Sequence, residues 1–198
     1  MDPHDVRQGW ADRSGEYSPA YYAYYGANET SDLLRERFDA VLDPDAAILE
    51  VGCSSGRHLA HLYEHGYENL TGIDLNADAF DVMAETYPAL ADAVTFYAGD
   101  ASRVVATFED DRFDAVFSVE ALQHFHPDEG LVFADLARVA ADRLVTVENE
   151  GDDEEVNYVR DDVPLYHRDW ERVFTSLGLT QVTSRPAGRD TYREFRPA

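Results

Sequence analysis

The sequence predicts a doubly wound, Rossmann-like α/β fold with a mostly parallel sheet and helices on both faces. Three observations carry that expectation. Short apolar runs alternate with amphipathic helical segments along the chain. Strands alternating with helices close into a parallel sheet covered on both sides. The polar residues of chemical interest fall just after the apolar runs, where such sheets bind ligands. The length, 198 residues, suits one ordinary domain.

Each element has a local reason. Trp10, Tyr17, Tyr21, Tyr22, Tyr24 and Tyr25 crowd the first stretch, so residues 1–30 read as a tyrosine-rich cap or lid and 31–198 as the main domain. Leu34, Phe38, Val41 and Leu42 predict a helix that docks on the sheet. Residues 46–51 form an apolar run between Pro44 and Gly52, which suits a buried strand. A helix over 57–65 follows and stops at Gly66. Residues 69–74 are the next strand, and Asn76 can cap a helix carrying Phe80, Met83, Ala84 and Tyr87, ended by Pro88. Residues 93–98, 113–119 and 143–148 read as three further strands, with a helix near 128–141. The acidic stretch 150–155 reads as a solvated loop. Trp170, Val173, Phe174 and Leu177 mark a last helix, and two short strands near 179–184 and 191–196 can pair as a hairpin.

Composition narrows the function. Forty acids against 16 bases leave a net charge of −24, and every base is arginine. Such self-repulsion strains a compact state in dilute buffer, but at ~1 M salt the screening length falls to about 3 Å. The balance resembles cytosolic proteins of extreme halophiles. No basic stripe is present to neutralise phosphates, which disfavours nucleic acid as a partner. No apolar run approaches a membrane span, and the start lacks the pattern of a signal peptide. The lone cysteine, Cys53, excludes an internal disulfide and fits a reducing compartment. A cytoplasmic protein, monomer or homodimer, is expected.

The chemistry concentrates after the strands. Residues 48–56, Ile-Leu-Glu-Val-Gly-Cys-Ser-Ser-Gly, read as strand, small-residue loop and helix start. Small residues let backbone approach a ligand, and a helix N-terminus offers free N–H groups. The glycines, Gly52 and Gly56 with Ser54 between, lack the dinucleotide spacing, and Glu50 inside the strand suits a ligand that bears a cation. Asp74, at the end of the second strand, can accept bonds from both hydroxyls of a ribose, and Asp100 can accept one from an exocyclic amine. Two bland roles compete with these: Asp74 or Asp100 can instead cap the helix that follows it. Asn76 is the better capper after the second strand, which frees Asp74.

These motifs resemble those of the class I S-adenosylmethionine-dependent methyltransferases, over roughly residues 30–180. Leu49-Glu50-Val51-Gly52-x-x-x-Gly56 is similar to the first motif, and Gly72-Ile73-Asp74-Leu75 to the acidic ribose motif. Gly99-Asp100-Ala101 and Phe113-Asp114-Ala115-Val116-Phe117-Ser118 resemble the third and fourth. The resemblance implies a seven-stranded sheet whose last strand is antiparallel, and S-adenosyl-L-methionine as methyl donor. It places Gly52, Cys53, Ser54 and Gly56 along the methionine part, with Glu50 holding the amino group. It gives Asp74 the ribose, Leu75 the adenine face, Asp100 the adenine amine, Ala101 the ring edge and the Val119 carbonyl the methionyl amine. Ser54 departs from the glycine that many members carry.

Three further expectations concern chemistry. Methyl transfer from a sulfonium asks mainly for alignment and exclusion of water, and His124, followed by His167 and Glu120, is the candidate where a base is needed. Tyr25 and its neighbours are read either as plain packing or as a lid whose hydroxyls reach the cofactor carboxylate. His58, His61 and His65 share a helix but read as a solvated face rather than a metal site. The acceptor is expected to be a small molecule, because little chain is free between the fifth strand and the last helix. A non-catalytic S-adenosylmethionine-binding module and a dinucleotide oxidoreductase are the rival readings.

Overall fold

The computed structural model describes residues 1–151, 156–159 and 163–197. Two short helices lead: α1 (Pro3–Ala11) and α2 (Pro19–Tyr25). Each starts with proline at its first position after a capping side chain. Asp2 accepts from the Asp5 N–H and Ser18 from the Tyr21 N–H. Next come α3 (Glu29–Asp39), β1 (Ile48–Val51), α4 (Arg57–Glu64), β2 (Leu70–Asp74), α5 (Asp78–Thr86), α6 (Pro88–Ala93), β3 (Thr95–Ala98), α7 (Ala101–Val105) and β4 (Phe113–Val119). The chain closes with α8 (Leu131–Val139), β5 (Ala140–Glu148), a hairpin of β6 (Val156–Val159) and β7 (Val163–Tyr166), then α9 (Trp170–Ser176), β8 (Leu179–Ala187) and β9 (Asp190–Pro197).

Among the described residues the main sheet has seven strands, in the order β3-β2-β1-β4-β5-β9-β8. The first five run parallel, and β9 inserts antiparallel between β5 and β8. The terminal hairpin thus closes the sheet as its sequence pattern predicts. The buried strands alternate between two cores because side chains leave a strand on opposite faces. Ile48, Ala115, Phe117 and Val145 pack under Leu34 and Phe38 of α3 and Leu59 and Leu62 of α4. Leu49, Val51, Val116 and Leu144 pack on Leu136 of α8 and Trp170 and Phe174 of α9.

Some boundaries move for local reasons. Pro88 ends α5 but also opens α6, since proline is favoured at a first helical position. The third strand therefore begins at Thr95. The helix expected through Leu42 stops at Asp39, and its Asn28 and Ser31 form a reciprocal cap at the start. Strand β5 starts at Ala140, directly after α8, which shortens the predicted helix. Of the acidic stretch 150–155, residues 152–155 lie outside the described residues.

Candidate functional site

A cleft opens at the carboxyl ends of β1, β2, β3 and β4, where the strand order reverses between β1 and β4. It encloses about 1050 Å³ of empty space, counted to its open mouth. Glu50, Gly52, Cys53, Ser54, Asp74, Leu75, Asp100, Ala101, Val119, Glu120 and His124 all line it. Residues spread over 75 positions of sequence therefore share one cavity, because parallel strands deliver every loop to the same edge.

The first wall is the β1–α4 loop. Gly52 sits at φ +77°, and a Cβ there would overlap the Ala121 methyl, so only glycine lets the loop meet the turn after β4. Ser54 also adopts the left-handed region, at φ +48°. Gly56 does not line the cleft, contrary to expectation. It caps α4 at φ +76°, and a Cβ there would lie 2.7 Å from Met83 Cε, so it serves the turn and its packing.

Glu50 is 1% exposed, and its Oε2 has no hydrogen-bond partner in the protein. Burial pushes its carboxyl well above the ordinary range, the nearby Asp74 charge adds to this, and Arg57 opposes it. A buried, unpartnered carboxylate oxygen is costly and calls for a donor from the cleft. Asp74 is engaged rather than free: Oδ2 accepts from the Ser54 N–H and Oδ1 from the Asn76 N–H, both at 2.8 Å. Asn76 in turn accepts from the Asp78 N–H at 3.1 Å, which caps α5 as predicted. Burial raises the Asp74 carboxyl, while the amides of Asn76, Ser54 and Leu75 hold it down. Asp100 takes the capping role at α7, accepting from the Ser102 N–H and Oγ, with Oδ2 3.6 Å from Arg7. It still faces the cleft.

The roof is α1 and the chain leading into α2. Val6, Trp10, Tyr17, Pro19 and Tyr22 line the cleft. Tyr25 does not: it is 61% exposed and packs on Tyr21 and Tyr24 at the end of α2, beyond the mouth. Tyr22 takes the inward place, under the Arg57 guanidinium at 4.7 Å, and burial pushes its phenol up. The roof is pinned at both ends, by Arg7 to Glu129 and by Asn76 Nδ2 to the Arg13 carbonyl.

The candidate bases separate. His124 lines the cleft, packs against Trp10 with ring centres 4.4 Å apart and the planes tilted by 51°, and donates from Nδ1 to the Pro164 carbonyl at 3.2 Å. Burial lowers its pKa to about 4, so it is neutral near pH 7. Glu120 lines the mouth, at φ +51°, and is bound by Arg189. His167 lies away from the cleft, a correction: it is held between the Glu150 carbonyl and the Asn157 amide because β7 ends at Tyr166 and the chain turns into α9. His58 is also not solvated. It is 3% exposed, bonds Ser31 Oγ at 2.8 Å and lines the cleft, since α4 turns it inward beside Leu59. Cys53 is a buried packing residue whose thiol is raised well above its usual range, first by burial.

Sequence reasoning missed α1 as a helix, although Asp2-Pro3 is a capped start and Val6 and Trp10 have i, i+4 spacing. It also missed Glu148 and Arg168, whose partners are mostly backbone groups distant in sequence and leave no local signal.

Fold and cleft together define a doubly wound α/β domain with a ligand-sized cleft at its switch point. Residues 48–143 match a family described as a methyltransferase domain. That match names the same kind of domain as the motifs resemble. A mouse protein, EEF1A lysine methyltransferase 2, is 30% identical over 69 residues, 35% of this chain and 28% of its own length. Sterol 24-C-methyltransferase ERG6B of Gibberella zeae is 28% identical over 135 residues, 63% of this chain and 34% of its own. The chain thus spans about a third of the curated relatives it matches. The structure of magnesium protoporphyrin IX methyltransferase from Synechocystis, with S-adenosylhomocysteine bound, superposes with a TM-score of 0.72 at 14% identity, covering 100% of both chains. That likeness is one of fold.

Proposed function

We propose that this protein transfers a methyl group from S-adenosylmethionine to a small-molecule acceptor. The observation that carries the reading is the unpartnered Glu50 oxygen, buried on the same cleft rim as Asp74 and Asp100. The cofactor fits that donor set: an ammonium for Glu50, a diol for Asp74 and an amine for Asp100. When bound, it supplies a methyl group already activated on a sulfonium.

The chain's own residues then do four things. Glu50 and the Val119 carbonyl hold the amino group. Asp74 orients the ribose through the lone-pair sites its amide bonds leave open. Leu75, Asp100 and Ala101 hold the adenine, with Gly52, Cys53 and Ser54 giving the backbone close approach. Trp10, Tyr17 and Tyr22 exclude water, which matters because an in-line transfer depends on alignment and a dry site. His124, neutral and packed on Trp10, serves as a wall toward the acceptor and takes a proton only from a strongly acidified nucleophile.

A small acceptor is favoured by the roof over the cleft and by the compact β6–β7 hairpin that fills the space after β5. The sterol and porphyrin named for two of the similar proteins point the same way. Among the described residues no helix is long and apolar enough to cross a membrane. The cytoplasmic reading rests on the single cysteine and the acidic balance.

The test is calorimetry with S-adenosylhomocysteine against NAD, then label transfer from methyl-labelled S-adenosylmethionine into fractionated cell extract. Binding of the homocysteine compound, with label in the small-molecule fraction, is expected. Binding of NAD alone overturns the methyltransferase reading, and label only in protein overturns the acceptor class.

A further inference from the structure

Among the buried charged residues outside the cleft, Glu148 and Arg168 converge on one turn and have no role in the chemistry above. Glu148 ends β5 and is fully buried. Its Oε1 accepts from Ser118 Oγ at 2.8 Å and from the Ala121 and Leu122 N–H groups at 3.2 and 3.1 Å, and its Oε2 from the Gln123 N–H at 3.3 Å. Arg168, which precedes α9, is 8% exposed. It donates to the carbonyls of Leu122 at 3.4 Å, Tyr166 at 3.3 Å and Phe125 at 2.5 Å. Its guanidinium lies 5.2, 5.8 and 5.5 Å from the ring centres of Phe133, Tyr166 and Trp170.

Both groups grip the same short turn, Leu122–His124. The Glu148 carboxyl gathers the Leu122 and Gln123 N–H groups with that of Ala121 before them, and the Arg168 guanidinium reaches the Leu122 carbonyl and that of Phe125 just after the turn. The turn is one wall of the cleft: Ala121, which closes on Gly52, opens it, and His124, which packs on Trp10 of the roof, ends it. A single 3₁₀ turn makes too few bonds of its own to hold a fixed place, and burying two charges is costly unless each is well hydrogen-bonded. Charge-assisted bonds are about twice as strong as neutral ones.

We propose that Glu148 and Arg168 are positioning residues that together set the Leu122–His124 turn, and through it the acceptor-side wall and the seat of the roof. Resting on the methyltransferase reading, this gives catalysis two determinants that touch neither donor nor acceptor. Glu148 supplies acceptors and Arg168 supplies donors, so neither can replace the other. Trp10 and Trp170 are the chain's two tryptophans, and each sits against one end of the device.

The experiment follows the His124 ring by NMR titration in the full-length wild type and in Glu148→Gln and Arg168→Lys, with Trp10 emission read in a Trp170→Phe background. Circular dichroism and the melting temperature check that each variant is folded. Burial pushes the Glu148 carboxyl up to about 7, so it is neutral where His124 titrates and Glu148→Gln removes no charge there, whereas loosening the turn lets water reach the ring and raises its pKa. The expected result is a His124 pKa moved up from about 4 by one unit or more in Glu148→Gln, with a red shift of Trp10 emission. Arg168→Lys keeps the charge but loses the fork, and is expected to do the same. Either variant alone decides the matter if the other fails to fold. An unmoved or lowered His124 pKa with unchanged Trp10 emission overturns the proposal, as does a change that only follows the melting temperature. Failure of the wild type to bind S-adenosylhomocysteine would sink the methyltransferase reading and leave the clamp standing.

Discussion

Asp74→Ala separates two jobs that the structure gives to one carboxylate. The side chain offers about four lone-pair sites. The Ser54 and Asn76 amides take two, each at 2.8 Å, the Leu75 amide also bears on the carboxyl, and the rest are left for the hydroxyls of a ribose. Each charge-assisted bond contributes roughly 1.5–3 kcal/mol when its partner would otherwise stay solvated. Loss of the ribose pair, partly made good by water, should cost about 1–3 kcal/mol of binding, a five- to 150-fold rise in Kd. Loss of the amide pair also lowers stability, because two buried N–H groups go unpaired. Asp74→Asn divides the effects: its amide oxygen still serves one N–H, so it should fold better than alanine yet bind nearly as poorly. Calorimetry with S-adenosylhomocysteine reads the first effect, and urea denaturation the second. A Kd within twofold of wild type for both variants, alongside reduced stability, would show that Asp74 only staples the loop, and the ribose assignment would fail.

Three other outcomes are expected. Ser54→Gly should stabilise by about 0.5–1 kcal/mol, since relief of the left-handed strain at φ +48° exceeds the added chain entropy of glycine; chemical denaturation checks this, and a loss of stability would contradict it. Binding an ammonium-bearing cofactor favours the ionised form of Glu50, whose carboxyl burial raises well above its ordinary range, so affinity should climb as pH rises toward that pKa and the calorimetric heat should vary with buffer ionisation enthalpy, while a buffer-independent heat would argue for another partner. Dialysis from molar to millimolar salt should abolish the native circular dichroism, given a net charge of −24, and a spectrum that stays native would remove the halophilic reading.

The sheet was legible because buried parallel strands leave continuous apolar runs, such as Phe113–Val119, bounded by turn residues. That Glu50, Asp74 and Asp100 share one cleft was legible for a related reason: they sit at strand ends in a fixed order. What escaped the sequence is what long-range packing decides. Whether Tyr22 or Tyr25 faces the cleft depends on where α2 ends, and nothing local fixes that. His167 and His124 look equally reactive as letters, yet one turns into a loop behind β7 and the other packs on Trp10. His58 seemed exposed because its partner, Ser31, lies 27 positions away on another helix.

The two walls of the cleft are therefore built by different means, and this bears on how the acceptor is chosen. The cofactor wall is made of backbone and short side chains within contiguous motifs, where Gly52 and the Asp74 amide bonds leave little freedom. The acceptor wall is a turn with little structure of its own, held from behind by Glu148 and Arg168 and from above by Trp10. Substitutions on that turn can reshape the acceptor pocket while Glu50, Asp74 and Asp100 stay where they are. The same turn meets Gly52 through Ala121, so movement of the acceptor wall reaches the cofactor at one point, beside the position given to the methionine part. On the proposed reading, the tight Gly52–Ala121 approach is where a shift of the acceptor wall would meet the donor loop, so Ala121→Gly should alter S-adenosylhomocysteine affinity as well as turnover.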